Sequence, residues 1–208
     1  LEQLVADLDV RGAKISGRLS LDISKTIGHK KALETALKSL EKIDLALICH
    51  GDLPDQTACE NSFKMAQKAI NVNGLSTISL LTIFADTFKS QGFGSIAVIT
   101  SVAGDRGRQP NFVYGASKAL VSTYLQGLRG VLLPHGVHVL DIKPGLVDSP
   151  MTAEFEKGPL WSSPELVAKS IVKGVSKKRL VIYAPGYWRL IMMVVVSIPE
   201  IIFQRLKF

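Results

Sequence analysis

Cysteine is scarce in this sequence: Cys49 and Cys59 are the two present, in neither a Cys-x-x-Cys pair nor a zinc-ligand spacing. A disulfide-stapled fold is thereby excluded, and a reducing, cytoplasmic setting is expected. Cys49 ends an apolar run with no histidine or basic cluster placed to activate it, so it reads as a small core residue rather than a nucleophile. The 4 histidines are scattered and form no metal constellation. Aromatic residues make up 7% and do not interleave with basic ones, so nucleic acid is not an expected partner despite a net charge of +7. Glu2, Asp7 and Asp9 interrupt the first ten residues, which removes the apolar region of a signal peptide. No apolar run reaches the ~20 residues of a membrane-spanning helix.

What is present is a chain of 208 residues with 47% hydrophobic content, enough for one substantial core and a single α/β domain over 1–208. Periodicity predicts a short helix over 1–8, an alternating strand over 15–21 and a charged helix over about 27–41. Residues 44–49 follow one charge with a continuous apolar run, the pattern of a strand buried on both faces. A long helix is predicted over about 61–90, with Ile70, Asn73, Thr77, Leu81, Phe84 and Phe88 on one stripe and Gly92 just past its end. A buried strand over 95–100 precedes a helix over 112–133, which Pro134 and Gly136 stop, and 137–142 reads as another strand. Ser163-Pro164-Glu165 opens a helix to about 176, with Ser163 at the N-cap, and 180–183 supplies a last strand. Strands alternating with helices predict a Rossmann-like, doubly wound, mostly parallel sheet.

Tyr114 and Lys118 are four positions apart on a helix, so their side chains stack one turn apart on one face. Tyrosine must shift by ~3 pKa units to exchange protons near neutrality, and a nearby ammonium favours the phenolate. Ser101 precedes this pair and lies directly after a buried strand, where the strand ends of an open α/β sheet form a ligand crevice.

Three segments in order resemble the short-chain dehydrogenase/reductase family: Ile99-Thr100-Ser101-Val102-Ala103-Gly104, Tyr114-Gly115-Ala116-Ser117-Lys118-Ala119, and Lys143-Pro144-Gly145-Leu146-Val147-Asp148-Ser149-Pro150-Met151. The resemblance implies NAD or NADP as cofactor and a carbonyl or alcohol as substrate. It implies that Tyr114 gives the proton, that Ser101 stabilises the carbonyl oxygen, and that Lys118 tunes Tyr114 and binds the nicotinamide ribose. Asn73 matches the asparagine that kinks its helix and holds a proton-relay water. Pro144, Gly145, Val147 and Ser149 match the segment beside the nicotinamide, with Ser149 where the family usually has threonine. Asp22 matches the acidic residue that contacts the adenine amino group, or is simply a turn former. The family's helices corresponding to 61–90 and 112–133 pair in dimers, so a homodimer or homotetramer is implied.

Two departures accompany the likeness. The Asn-Asn-Ala-Gly stretch is Ile48-Cys49-His50-Gly51, in which only Gly51 survives to let the backbone approach the cofactor, while His50 reads as a structural or pocket residue. The Gly-x-x-x-Gly-x-Gly turn of the first βαβ unit is absent, so a preceding unit in a longer parent protein is expected.

Phe155, Leu160 and Trp161 make the loop over 151–162 apolar, as a greasy substrate or a mobile lid would require. The tail over about 188–208 runs from Leu190 to Ile198, is broken by Pro199 and Glu200, and resumes at Ile201 before Arg205 and Lys207. It suits packing on the domain, on a partner copy, or shallowly on the inner face of a membrane. Gln91-Gly92-Phe93-Gly94, Gly104-Asp105-Arg106-Gly107-Arg108 and Asn111-Phe112-Val113-Tyr114 are more weakly similar to the reductases that finish epimerisation of decaprenylphosphoryl ribose, which implies a lipid-linked keto sugar. The competing reading is a non-catalytic Rossmann-like dimerisation module that has lost cofactor binding.

Overall fold

The computed structural model describes residues 1–206; Lys207, at the end of the basic tail, lies outside them. Helix α1 (Glu2–Val10) is followed, after an irregular stretch, by α2 (His29–Leu40) and strand β1 (Leu45–Ile48). Helices α3 (Gln56–Asn61), α4 (Phe63–Ile70) and α5 (Ser76–Gln91) come next, the last two joined by a π-helical turn at Asn71–Leu75. Then follow β2 (Gly94–Ile99), α6 (Phe112–Leu132), β3 (Val137–Pro144), α7 (Pro164–Ser176) and β4 (Val181–Ala184). The tail forms α8 (Trp188–Ser197) and α9 (Glu200–Phe203).

The four strands lie in the order β1-β2-β3-β4, and every pairing is parallel. A parallel pair needs a crossover, and helices on the sheet's faces provide it. Ala46, Ile48, Ile96, Val98 and Val139 face α2, α5 and α6, whose Leu33, Leu81, Phe88, Val121 and Leu125 complete the larger core. Ala97, Leu140, Ile142 and Ala184 face Val167 and Ile171 of α7 on the other side. This is the Rossmann-like α/β arrangement that the alternating pattern predicts.

The helix ends follow their local chemistry. Gly92 closes α5 with φ +77° and Gly136 follows α6 with φ +69°, both in the left-handed region that glycine reaches without strain. Ser163 caps α7, its hydroxyl accepting from the Leu166 N–H at 3.3 Å.

Three expectations fail, and two of them have one physical origin. Residues 15–21 form no strand, because extended backbone becomes a strand only when a neighbour takes its hydrogen bonds. Strand β1 is the sheet's edge and is buried on one face only, leaving Leu45 and Leu47 exposed. A continuous apolar run cannot reveal which of its faces will be covered. Cys49 continues that uncovered face and is exposed, whereas Cys59 is buried between α4 and α6.

Candidate active site

Parallel strands bring their C-terminal ends to one edge, and the sequence places its chemistry there. Gly51 lies just beyond β1, Ser101 just beyond β2 and Gly145 just beyond β3. The register Ile99↔Ile142, extended by the Thr100 N–H donating to the Ile142 carbonyl at 2.7 Å, fixes the second and third of these against each other.

Helix α6 is held against the serine loop by the absence of side chains. A Cβ on Gly104 would lie 2.8 Å from the Ala119 nitrogen, and one on Gly115 would lie 2.7 Å from the Ala103 carbonyl oxygen. These two glycines let backbone meet backbone, so the first turns of α6 deliver Tyr114 and Lys118 beside Ser101. The Tyr114 phenol lies near enough to the Ser101 side chain for that hydroxyl to act on its pKa. Ser101 Oγ also accepts from the Ala103 N–H at 3.1 Å, which orients the hydroxyl.

Lys118 is 3% exposed, and its ammonium donates to the Ile99 carbonyl at 3.1 Å. Its Nζ lies 5.7 Å from the centre of the Tyr114 ring. Burial pushes the Lys118 pKa down to about 8, while the Asp141 carboxylate opposes that shift. Burial also pushes the Tyr114 phenol above its ordinary value, against the neighbouring Ser101 hydroxyl, which lowers it. The lowering expected from a lysine one turn away is not among the effects on Tyr114, whose direction is set by desolvation of the phenolate.

Asn73 is fully buried in the π-helical turn. Its Oδ1 accepts from the Asp52 N–H at 2.9 Å, and its Nδ2 donates to the carbonyls of Asp52 at 2.8 Å and Ala69 at 3.1 Å. The side chain therefore clamps the loop after β1 to the long helix. Gly51 sits in that clamp: a Cβ there would come within 3.1 Å of Asn73 Oδ1 and 3.3 Å of Lys118 Nζ. His50 is held by Ser76 at 2.7 Å and Thr77 at 3.2 Å, and burial pushes its pKa down to about 4, so it is neutral near pH 7.

On the third strand, Pro144 ends β3 and Gly145 meets the face of Trp188 so closely that a Cβ would lie 1.9 Å from the indole. Val147 pairs with Ser162 to close the following loop, and the Ser149 N–H donates to Thr152 Oγ1 at 3.2 Å. These residues fit the nicotinamide end of a dinucleotide: an ammonium, a phenol, a glycine cradle and a tight turn lie at one strand edge. The adenine end is different. Asp22 accepts from the Ser24 hydroxyl at 2.7 Å and lies 3.6 Å from Lys25, a turn with no strand before it. Ser24 and the neighbouring lysine lower its pKa.

Several residues around the site escape sequence reasoning. Asp105, in the serine loop, takes the Lys143 ammonium and the Tyr183 hydroxyl, the latter at 2.9 Å, while Asp141 accepts from Thr100. Arg106 donates to the carbonyls of Val195 at 2.7 Å and Ile198 at 2.6 Å, meets Glu200 at 2.7 Å and lies 3.7 Å over the Phe203 ring. It thereby pins the tail to the catalytic loop. No spacing signal announces such contacts; a run of charge in the serine loop is the only hint.

Comparison with known proteins agrees with this geometry. The family model for short chain dehydrogenases matches residues 1–159. An uncharacterized oxidoreductase of Mycobacterium tuberculosis is 28% identical over 206 residues, covering 99% of this chain and 83% of that protein. A short chain dehydrogenase/reductase from Burkholderia phymatum, solved in complex with NAD, superposes with a TM-score of 0.83 at 18% identity, over 100% of this chain and 83% of its own. One from Burkholderia cenocepacia in complex with NADP gives 0.78 at 21% identity, over 90% and 76%. The strand-edge constellation and the family match together place the chain: it belongs to the short chain dehydrogenases and is an oxidoreductase of that family.

Proposed function

We propose that the chain acts as one Rossmann-like unit that interconverts a carbonyl and an alcohol with NAD(H) or NADP(H), Tyr114 exchanging the proton. The observation that carries this reading is the buried Lys118 ammonium 5.7 Å from the centre of the Tyr114 ring, with Ser101 near enough to act on the phenol. When bound, the reduced nicotinamide supplies the hydride. Lys118, Gly51, Pro144, Gly145, Val147 and Ser149 would hold its ribose and carboxamide end, and Asp22 the adenine if its turn opens.

In reduction, the Ser101 hydroxyl donates to the substrate oxygen as negative charge develops, and Tyr114 delivers its proton to that oxygen. A phenol kept protonated by burial suits the donor role at neutral pH. Lys118, with a pKa near 8, is mostly cationic there and steadies the phenolate left behind. Asn73 holds the loop that places Gly51 against Lys118 and, with the relay role implied for it, would restore the proton.

For substrate, the reading is a lipid-linked keto sugar. Met151, Phe155 and Leu160 are exposed on the loop after β3, and the Tyr187 hydroxyl donates to the Leu160 carbonyl at 3.1 Å, joining that loop to the apolar tail. Leu190, Met193, Val194, Ile201 and Ile202 are exposed on α8 and α9, which suits peripheral contact with the cytoplasmic face of a membrane. At 10 residues, α8 is too short to span one. Exposed Phe63, Met65, Leu75 and Leu120 on the α4–α6 side support a homodimer or homotetramer.

The test is carbonyl reduction by the full-length protein with NADH and NADPH, wild type against Tyr114→Phe. A drop of ~10²–10⁴-fold supports general acid catalysis. Equal turnover by the two proteins refutes it.

A further inference from the structure

Beneath the serine loop lies a buried cluster of charge that proton delivery does not itself use. Side chains of β3 alternate across the sheet, and Val137 and Val139 face the core under α6. Asp141 and Lys143 continue that face, and Asp141 is 2% exposed. Its Oδ1 accepts from the Thr100 hydroxyl at 2.5 Å, and its Oδ2 lies 3.9 Å from Lys143 Nζ. Lys143 has a closer acid, because Asp105 takes its ammonium in direct contact and accepts from the Tyr183 hydroxyl as well. Arg129 of α6 also acts on Asp141, but its guanidinium donates to the carbonyls of Val139 at 3.2 Å and Leu180 at 2.8 Å.

The Lys118 ammonium enters the same layer from α6. It sits 3.1 Å from the Ile99 carbonyl, and Ile99 pairs with Ile142, the residue after Asp141. Neighbouring strands are ~4.8 Å apart, so ammonium and carboxylate lie about one strand spacing from each other on the α6 side. The other titratable groups around Lys118 carry no negative charge near pH 7. Burial keeps the Tyr114 phenol protonated, partial desolvation raises the Cys49 thiol above its ordinary value, and burial holds His50 neutral. Among the described residues, Asp141 is therefore the one carboxylate that acts on Lys118.

We propose that Asp141 is the buried counter-ion of Lys118, a positioning residue that holds the ammonium charged and acts on Tyr114 through it. Its consequence rests on the carbonyl-reductase reading, since a charged Lys118 steadies the phenolate left by proton transfer. A buried ammonium without a counter-charge gives up its proton instead. Thr100 aims the carboxylate and immediately precedes Ser101, so one hydrogen bond ties the counter-ion to the serine loop.

The test is a pH titration of the full-length protein carrying isotope-labelled lysine, followed at Cε by NMR, with the Lys118 signal identified by its loss in Lys118→Met. In wild type it is expected to titrate at about 8. An opposite charge this near is worth at least about tenfold in proton affinity, so Asp141→Asn should bring the Lys118 midpoint to about 7 or below. Asparagine keeps the shape and an acceptor for Thr100; Asp141→Ser, equally neutral and smaller, gives the same comparison if the asparagine variant does not fold. Asp141→Glu keeps the charge and should return the midpoint toward wild type. Equal Lys118 midpoints in wild type and the neutral variants overturn the proposal. The second readout is carbonyl reduction against pH, where the alkaline limb of kcat/KM should move down with the Lys118 midpoint in Asp141→Asn. A moved titration with an unmoved limb overturns the link to Tyr114. The titration needs neither cofactor nor turnover, so equal turnover by Tyr114→Phe would sink the reductase reading while leaving it intact, and the two failures are distinguishable.

Discussion

Lys118→Met should stabilise the protein while abolishing its chemistry, and the effect should fade as pH rises. The ammonium is held inside with its pKa pushed down from 10.5 to about 8. At 1.36 kcal/mol per tenfold, that corresponds to about 3 kcal/mol of lost stability at neutral pH. Methionine fills nearly the same volume without the charge. It forfeits the hydrogen bond to the Ile99 carbonyl, worth ~1–1.5 kcal/mol. The net gain is therefore about 1–2 kcal/mol, or roughly 3–6 °C in melting temperature for a chain of this size. Between pH 8 and about 10.4 the unfolded lysine keeps a proton that the folded one has released, so wild-type stability rises with pH across that window. The advantage of Lys118→Met should accordingly be full at pH 7, shrink above pH 8, reach zero at about pH 9 and reverse by about pH 10.5, where only the lost hydrogen bond to Ile99 separates the two proteins. Paired thermal melts at pH 7, 8, 9 and 10 read this difference directly, since every other titrating group is common to both proteins. Carbonyl reduction should fall by ~10²-fold or more. A Lys118→Met protein that melts below wild type at pH 7, with a gap that stays constant to pH 10, refutes the reasoning.

Gly145→Ala would place a methyl 1.9 Å from the Trp188 indole, so α8 must move; overpacking of about 1–3 kcal/mol is expected, seen as a lower melting temperature and a red shift in tryptophan fluorescence. Arg106→Ala removes the donor that holds the carbonyls of Val195 and Ile198, and the tail over 188–203 should lose ~2–3 kcal/mol of hydrogen-exchange protection while β2 and β3 keep theirs. His50 stays neutral in the folded state down to about pH 4, whereas the unfolded residue protonates near 6.5. Stability should thus fall by ~1–2 kcal/mol as pH drops from 6.5 to 4, the half-buried ring being partly screened, and His50→Gln should flatten that slope in acid melts.

Elements whose signal is local were legible in the sequence. Gly92, Gly136 and Ser163 announce helix ends because a left-handed glycine and an N-cap hydroxyl act on their own backbone. A strand end and a four-residue helical spacing made the positions of Ser101, Tyr114 and Lys118 legible, while the roles read for them came from the resemblance of three ordered segments to a family pattern. Residues 15–21 and the bare face of β1 were misread because both depend on whether a neighbouring strand or helix covers them. No property of an isolated segment encodes that.

The contacts that make the site particular are the ones with no local signature. Gly104 and Gly115 are unremarkable letters until α6 folds against the serine loop and each proves to touch backbone. Arg106 and Arg108 stand two residues apart in the same loop, yet one is held by a helix some ninety positions away and the other makes no side-chain hydrogen bond among the described residues. The family pattern accounts for the proton donor because that chemistry is the same for every carbonyl. How the serine loop is tied down is instead particular to this chain, since the Arg106 guanidinium holds tail carbonyls that no motif in the loop foretells.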